Sequence, residues 1–163
     1  MINYSPGLFL HFFLAFVVTV GPAIAFFVIA SVNSLSFKSA FSASLIIFGI
    51  VFLASYFTFE KNEVVVSEDR VKVQAARFYH EEVSISEIES VEVFSYSDFR
   101  KSNFVPDLRT NGIAFGSFLA GRFKLKNNSS ALVLITSRKI PISVLKTGDG
   151  FIITSGEINL KSK

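Results

Sequence analysis

The residues that could carry out chemistry in this chain are few, and their spacing does not favour catalysis. His80, Glu81 and Glu82 are consecutive. Consecutive residues of a strand point to opposite faces, so the two carboxylates are not expected to share a proton or a metal ion. The only other histidine is His11, in the distant apolar part of the chain, so no second imidazole ligand is available. We therefore predict that the protein has no metal site.

Nucleophilic and cofactor chemistry are not indicated either. The chain contains no cysteine, which excludes a thiol nucleophile, a disulfide and a thiolate metal site. Gly116 and Gly121 have the spacing of a phosphate-binding loop, but Arg122 and Phe123 follow instead of the required lysine and hydroxyl residue. No nucleophile can be matched with a base. We predict a protein that is not an enzyme and carries no cofactor.

The charged residues are segregated along the chain. Residues 60–107 carry eleven acidic and six basic residues, a net charge of −5, whereas residues 108–148 carry seven basic residues and no acidic one. One interpretation is that the two halves meet and pair their charges across strands, or that the basic face is simply solvated. The other is that the basic residues form a binding surface.

The basic residues are most regular in the stretch from Leu119 to Lys126. Arg122, Lys124 and Lys126 alternate with Phe123 and Leu125, which predicts a strand with one basic and one apolar face. This basic stripe would suit anionic lipid headgroups, each charge contributing about 1 kcal/mol near a membrane surface. Nucleic acid is a poorer match, because no aromatic residue alternates with the stripe on its exposed face.

The first sixty residues are interpreted as a membrane anchor. The runs Leu8–Ala30 and Ala40–Phe59 contain no Asp, Glu, Lys or Arg, and each is long enough as a helix to match a hydrocarbon core of about 30 Å. We therefore predict a transmembrane helical hairpin over residues 1–60, with spans at about 8–30 and 40–59 and a kink at Gly21-Pro22.

The distribution of basic residues predicts the orientation of this anchor. Lys61, Arg70, Lys72 and Arg77 follow closely after the second span, and a positive-inside bias places them in the cytoplasm. We therefore expect a multi-pass protein of the inner or plasma membrane with both termini cytoplasmic, and a cytoplasmic domain over residues 61–163.

The pattern after residue 61 changes to a period of two, which favours β-strands. Seven or eight short antiparallel strands are predicted without a convincing helix, and this indicates a small sandwich or barrel. The predicted strands cover 64–66, 71–74, 78–85, 88–96, 119–126, 131–136, 139–145 and 151–154. Asp98–Asn111 is predicted to be a loop, because Pro106 argues against a central strand.

These strands resemble those of bacterial pleckstrin-homology-like (PH-like) domains. The resemblance lies in the order of N-E-V-V-V-S-E-D-R-V-K-V-Q-A and E-V-S-I-S-E-I-E-S-V-E-V, followed by G-R-F-K-L-K and A-L-V-L-I-T-S-R-K-I-P-I-S-V-L-K-T-G-D-G-F-I-I-T-S. It covers about residues 62–155 and implies a membrane-anchored, seven-stranded antiparallel sandwich with a C-terminal capping helix. The few residues after Thr154 leave that helix short or absent.

The expected function is a non-enzymatic, membrane-anchored binding or scaffolding module that interacts with another protein at the cytoplasmic membrane face. The alternatives are an anionic-lipid headgroup sensor that uses the basic stripe, and a small subunit of a membrane transport or envelope complex. Expected partners are membrane lipids and a membrane or cytoplasmic protein, without nucleic acid, and a homo-oligomer is left open. Besides the stripe, the candidate partner-facing residues are Arg109, Phe99 and Phe104. The candidate surfaces for a protein partner are Asp98–Asn111 and the uncovered end of the sandwich.

Overall fold

A computed structural model describes residues 2–3, 13, 15–20, 24, 28, 37–59 and 61–160. The chain divides into two units, one formed by residues 1–5 and 59–163 and the other by residues 6–58. Most of the first predicted span, including Gly21-Pro22, lies outside the described residues.

The unit of residues 6–58 contains helix α1, Phe37–Phe59, which begins before the predicted Ala40 and includes the exposed Lys38. Within the described residues, no helix combines the length and the apolar character needed to traverse a bilayer.

The predicted transmembrane hairpin is therefore wrong on the described residues. The same finding overturns the membrane-anchored fold class and the prediction of a multi-pass membrane protein with cytoplasmic termini. The prediction was based on the absence of acidic and basic residues from two long runs. That composition alone does not determine where a helix begins and ends.

The other unit consists mainly of β-structure in two sheets. The small sheet is antiparallel with the order β1-β2-β3-β4. Its strands are β1 Ile2–Asn3, β2 Glu63–Val66, β3 Arg70–Ala75 and β4 Tyr79–Ser84. A single 3₁₀ turn, Ile85–Glu87, leads from the small sheet to the next strand, and Ser84 and Glu87 form a capping box at its start.

The large sheet has six strands in the order β5-β9-β10-β8-β7-β6. Its strands are β5 Ile88–Phe94, β6 Pro106–Phe115, β7 Phe118–Leu125, β8 Ser130–Ile135, β9 Ile142–Thr147 and β10 Gly150–Ser155, and a short helix α2, Tyr96–Phe99, follows β5. The β9–β10 hairpin turns back so that β10 lies beside β8 and runs parallel to it. The predicted all-antiparallel arrangement is wrong at this pair.

The eight predicted strands are confirmed as β2 to β5 and β7 to β10, with boundaries shifted by a few residues. The predicted loop Asp98–Asn111 is wrong, because it contains the end of α2 and the first part of β6. Pro106 is the first residue of β6 and β6 is an edge strand, a position where the missing N–H is tolerated. In the described residues after β10, 156–160, there is no helix.

The large sheet is covered on both faces over its central strands. We call one face the aromatic face, since Phe123, Val133 and Ile153 lie on it and form a buried cluster with Phe99. Alternate residues such as Leu132 point to the inner face, towards the small sheet, where β3 packs against β8. This double burial confirms the prediction that the continuous apolar run of β8 is buried.

A close approach of two glycines joins β6 to β7. Gly112 and Gly121 lie directly opposite each other, with φ angles of +154° and +130°. A Cβ atom on Gly121 would lie 2.5 Å from both the Asn111 carbonyl oxygen and the Gly112 Cα atom. Neither backbone atom can move without shifting the strand, so this contact requires glycine.

We predict that Gly121→Ala lowers the free energy of unfolding of the full-length chain by about 2 kcal/mol, through steric overlap and an unfavourable φ angle. Denaturant unfolding followed by circular dichroism measures the change. The control is Gly148→Ala, because no atom lies within 4 Å of a Cβ at Gly148. Equal unfolding midpoints for the two variants would contradict the prediction.

Candidate functional site

Strand β6 forms one edge of the large sheet and is the longest strand among the described residues, with ten residues. Residues 107–111 are all exposed, and the Tyr79 hydroxyl on β4 donates a hydrogen bond to Asn111 Oδ1 at 2.7 Å. Within the described part of the chain, β7 is the only strand hydrogen-bonded to β6. The ladder between β6 and β7 shifts register between Pro106 and Leu108 and again between Arg109 and Asn111. Among the described residues, no strand pairs with the outer edge of β6.

Strand β5 forms the opposite edge of the same sheet and pairs only with β9 among the described residues. Glu92 and Val93 lie near its end and are exposed. The large sheet thus has two unpaired edges, and both carry charged side chains.

Residues directly opposite each other on paired strands share a face of the sheet. Arg109 lies opposite Phe123 and is therefore on the aromatic face, whereas Leu108 lies opposite Lys124 on the inner face. Leu108 is 60% exposed. The start of β6 therefore presents a cation on one face and an apolar side chain next to a cation on the other.

The predicted basic stripe is divided by the structure. Arg122, Lys124 and Lys126 are all exposed, and Phe123 and Leu125 are buried, as the alternation predicted. However, Arg122 Nη2 lies 3.3 Å from Glu81 Oε2 on β4. Among the described residues, Lys124 and Lys126 have no ion pair. Arg109 is unpaired in the same sense, but it lies on the opposite face from Lys124.

The acidic and basic halves of the chain do meet in part. Besides the contact between Glu81 and Arg122, Lys146 Nζ on β9 lies 2.6 Å from Glu89 Oε2 on β5. These pairs support the interpretation that the halves neutralise each other across strands, and they remove Arg122 and Lys146 from a free basic surface.

The two phenylalanines predicted to face a partner lie mainly inside the protein. Phe99 on α2 is only 2% exposed and belongs to the cluster on the aromatic face. Phe104 is partly buried and its ring centroid lies 5.2 Å from that of Phe151 and 5.9 Å from that of Phe94. Both residues therefore hold the segment before β6 against the sheet, and this placement fixes where β6 begins.

A cleft of about 610 Å³ opens between β4 and the turn that joins β9 to β10. Glu81 and Arg122 lie in it, together with the backbone of Gly148, Asp149 and Gly150. Other carboxylates of the lining are already engaged: Glu82 contacts Arg70, Glu89 contacts Lys146, and Glu87 accepts a hydrogen bond from the Ser84 N–H. In the described residues no group of His, Asp, Glu or Cys side chains is arranged to hold a metal ion.

Glu81 is the one carboxylate of the cleft whose ionisation is clearly disfavoured. Burial raises the pKa of the Glu81 carboxyl, and the charge of Asp149 adds to the rise, although Arg122 opposes it. Glu81 Oε2 is buried and accepts no hydrogen bond within the described part of the structure, so its contact with Arg122 is an ion pair without hydrogen-bond geometry. Glu81 thus differs from its neighbours His80 and Glu82, which are exposed.

No family model, no curated protein and no solved structure matches this chain. The functional interpretation therefore depends on the geometry of the sheet edges and of the cleft.

The strand character of β6 is the feature that the sequence analysis did not identify, although its exposed part lies within the candidate surface Asp98–Asn111. A signal was available, because Thr110-Asn111-Gly112-Ile113-Ala114-Phe115 continues directly to the next strand, with a turn only at Gly116. Its first half has no polar and apolar alternation, since an overhanging edge strand is exposed on both faces, and so it was interpreted as a loop.

The raised pKa of Glu81 predicts a specific effect of pH on stability. A carboxyl whose pKa is higher in the folded than in the unfolded chain makes stability fall as pH rises from the unfolded value, 4.5, through the folded value. The loss of stability caused by ionising Glu81 is absent at a pH below the pKa of the unfolded chain and complete at a pH above the pKa of the folded chain. We therefore expect the stability of Glu81→Gln relative to the wild type to increase from about pH 4 to about pH 7.

Denaturant unfolding of both full-length chains across this pH range measures the effect. Glu68→Gln, at the exposed turn between β2 and β3, is measured in parallel so that the general effect of removing one carboxylate is subtracted. The prediction would be contradicted if the difference in free energy of unfolding between Glu81→Gln and the wild type, after subtraction of the Glu68→Gln effect, stayed constant or decreased with pH.

Proposed function

We propose that this chain is a non-enzymatic protein-interaction module that binds an extended segment by adding it as a strand to β6. The observation that carries the proposal is a ten-residue edge strand of which residues 107–111 are exposed. Strand addition needs an unpaired row of backbone N–H and C=O groups that a partner can reach, and this edge supplies one.

The sheet behind this edge is rigid enough to act as a template. Strand β7 is buried through Phe123 and Leu125, and Gly112 and Gly121 hold β6 close to it. The Thr110 hydroxyl also donates a hydrogen bond to the Arg122 carbonyl oxygen at 2.9 Å. An incoming segment would therefore meet an ordered strand and would bear most of the ordering cost itself.

The non-enzymatic part of the proposal is supported by the cleft. Glu81, Glu82 and Glu89 of its lining are engaged in ion pairs and Glu87 in a cap, and the described lining residues include no histidine, cysteine or lysine. The resemblance of the strand sequences to PH-like domains suggests the same class of function, namely binding without catalysis.

Strand addition predicts a periodic response to backbone modification. A ten-residue peptide that binds the full-length chain, selected from a display library, is synthesised with N-methyl groups at successive positions. Alternate amides of an added strand face β6, so every second N-methyl group should weaken binding about fivefold or more, and the intervening ones much less. Fluorescence anisotropy measures the affinities.

Hydrogen exchange locates the bound peptide. We expect the exchange of amides at residues 107–111 to slow when the peptide is added, while amides of β4, the corresponding edge of the small sheet, exchange as before. A uniform response to N-methylation, or protection elsewhere than β6, would refute strand addition at this edge.

A further inference from the structure

We propose that the strand added to β6 is β5 of a second copy of this chain, so that copies associate edge to edge through their large sheets. This inference rests on the proposed function, since it names the occupant of the same edge. We choose β5 as the added strand because the two edges of the large sheet, β5 and β6, complement each other in strand direction, in charge and in apolar contact.

The strand directions determine how two copies can join. Following the pairings across the large sheet, β5 is antiparallel to β9, β9 to β10, β8 to β7 and β7 to β6, while β10 is parallel to β8. Strands β5 and β6 therefore point in the same direction. A second copy placed beside β6 by translation brings its β5 alongside as a parallel strand, with the aromatic faces of both sheets on the same side.

Charge complementarity follows on the aromatic face. Glu92 lies opposite Val144 and Arg109 lies opposite Phe123, and both of these partners belong to the aromatic-face cluster. Glu92 of one copy and Arg109 of the next therefore share a face. Neither has an ion pair among the described residues, and neighbouring strands would bring them within reach of each other.

Apolar complementarity follows on the inner face. Leu108 is 60% exposed at one edge, and Val93 is 45% exposed at the other. Val93 lies opposite Ser143, on the face opposite to Glu92, as Leu108 lies on the face opposite to Arg109. With Glu92 beside Arg109, Leu108 lies beside Val91 and diagonally from Val93, so the apolar side chains would be removed from water together.

The same register avoids the one acidic residue of β6. Asp107 is exposed one position before Leu108. When Glu92 stands beside Arg109, the residue two positions before Glu92 is Ser90, so Glu92 is kept away from Asp107, which lies at the irregularity of the β6 ladder between Pro106 and Leu108. A shift that placed Val93 beside Leu108 would instead oppose Glu92 and Asp107, which is unfavourable.

Pairing of identical edges is disfavoured by the same residues. In a register that opposes equivalent residues, two β6 edges would bring together the Arg109 cations of both copies, and two β5 edges would bring together their Glu92 carboxylates. Like charges on neighbouring strands repel, so these edges are protected against themselves but not against each other. The resulting interface is heterologous, and repeated translation produces open chains of copies and not a closed dimer.

Charge reversal tests this arrangement with the full-length chain. In sedimentation velocity at increasing protein concentration, we expect the wild type to form species larger than a dimer. Arg109→Glu and Glu92→Arg should each weaken association about tenfold, because an attractive pair becomes a repulsive one. The double variant Glu92→Arg/Arg109→Glu should restore it.

Mixing the two single variants gives the sharpest result. Each variant alone opposes like charges at every contact, whereas alternating copies of Arg109→Glu and Glu92→Arg pair opposite charges at both edges. The mixture should therefore associate although neither component does. Lys139→Glu and Glu68→Arg carry the same charge changes at exposed positions outside both edges, and should associate like the wild type. Circular dichroism confirms that all variants are folded.

Each other outcome overturns the inference in a distinguishable way. A wild type that stays monomeric, but whose β6 amides are protected by a selected peptide, leaves the proposed function intact and removes the second copy as the occupant. Association that is unchanged by both charge reversals assigns it to another surface. A monomeric chain without peptide binding at β6 would refute the inference and the proposed function together.

Discussion

Burial of both faces of the central strands of the large sheet is the constraint on which the rest of this unit depends. Leu132 and Leu134 face the small sheet, while Val133 faces the aromatic cluster around Phe99, and all are almost completely buried. Such a sheet needs a second layer on each side. The small sheet supplies one layer, and the segment from α2 to Phe104 supplies the other.

Because both faces of the central strands are covered, the unpaired backbone groups of the large sheet lie at its edge strands. Arg109 near the start of β6 and Glu92 near the end of β5 place opposite charges at the two edges. Charges on an edge strand commonly prevent unwanted pairing. In the proposed arrangement their opposite signs disfavour pairing of like edges and favour pairing of unlike edges, so the same charges provide both protection and specificity.

The cleft shows how the two sheets are held together at a cost. Arg122 reaches across from β7 to Glu81, whose carboxyl is half-buried and whose pKa is raised by that burial. An ion pair taken partly out of water contributes less stability than its short distance suggests. An unpaired Glu81 carboxylate would be unfavourable in this partly buried position, whereas the Arg122 side chain is 55% exposed.

The sequence by itself determined most strands, since a period of two, as in Phe123 to Lys126, reports burial of one face, and a continuous apolar run, as in β8, reports burial of two. It could not determine β6, which is exposed on both faces at its start, or the parallel pairing of β8 with β10, because periodicity carries no information on strand order. It also predicted Arg122, Lys124 and Lys126 as one surface, but the position of Glu81 on another sheet separates them. Only the tertiary structure decided these points, because strand order and ion pairs depend on contacts between residues far apart in the chain, whereas alternation depends on neighbours.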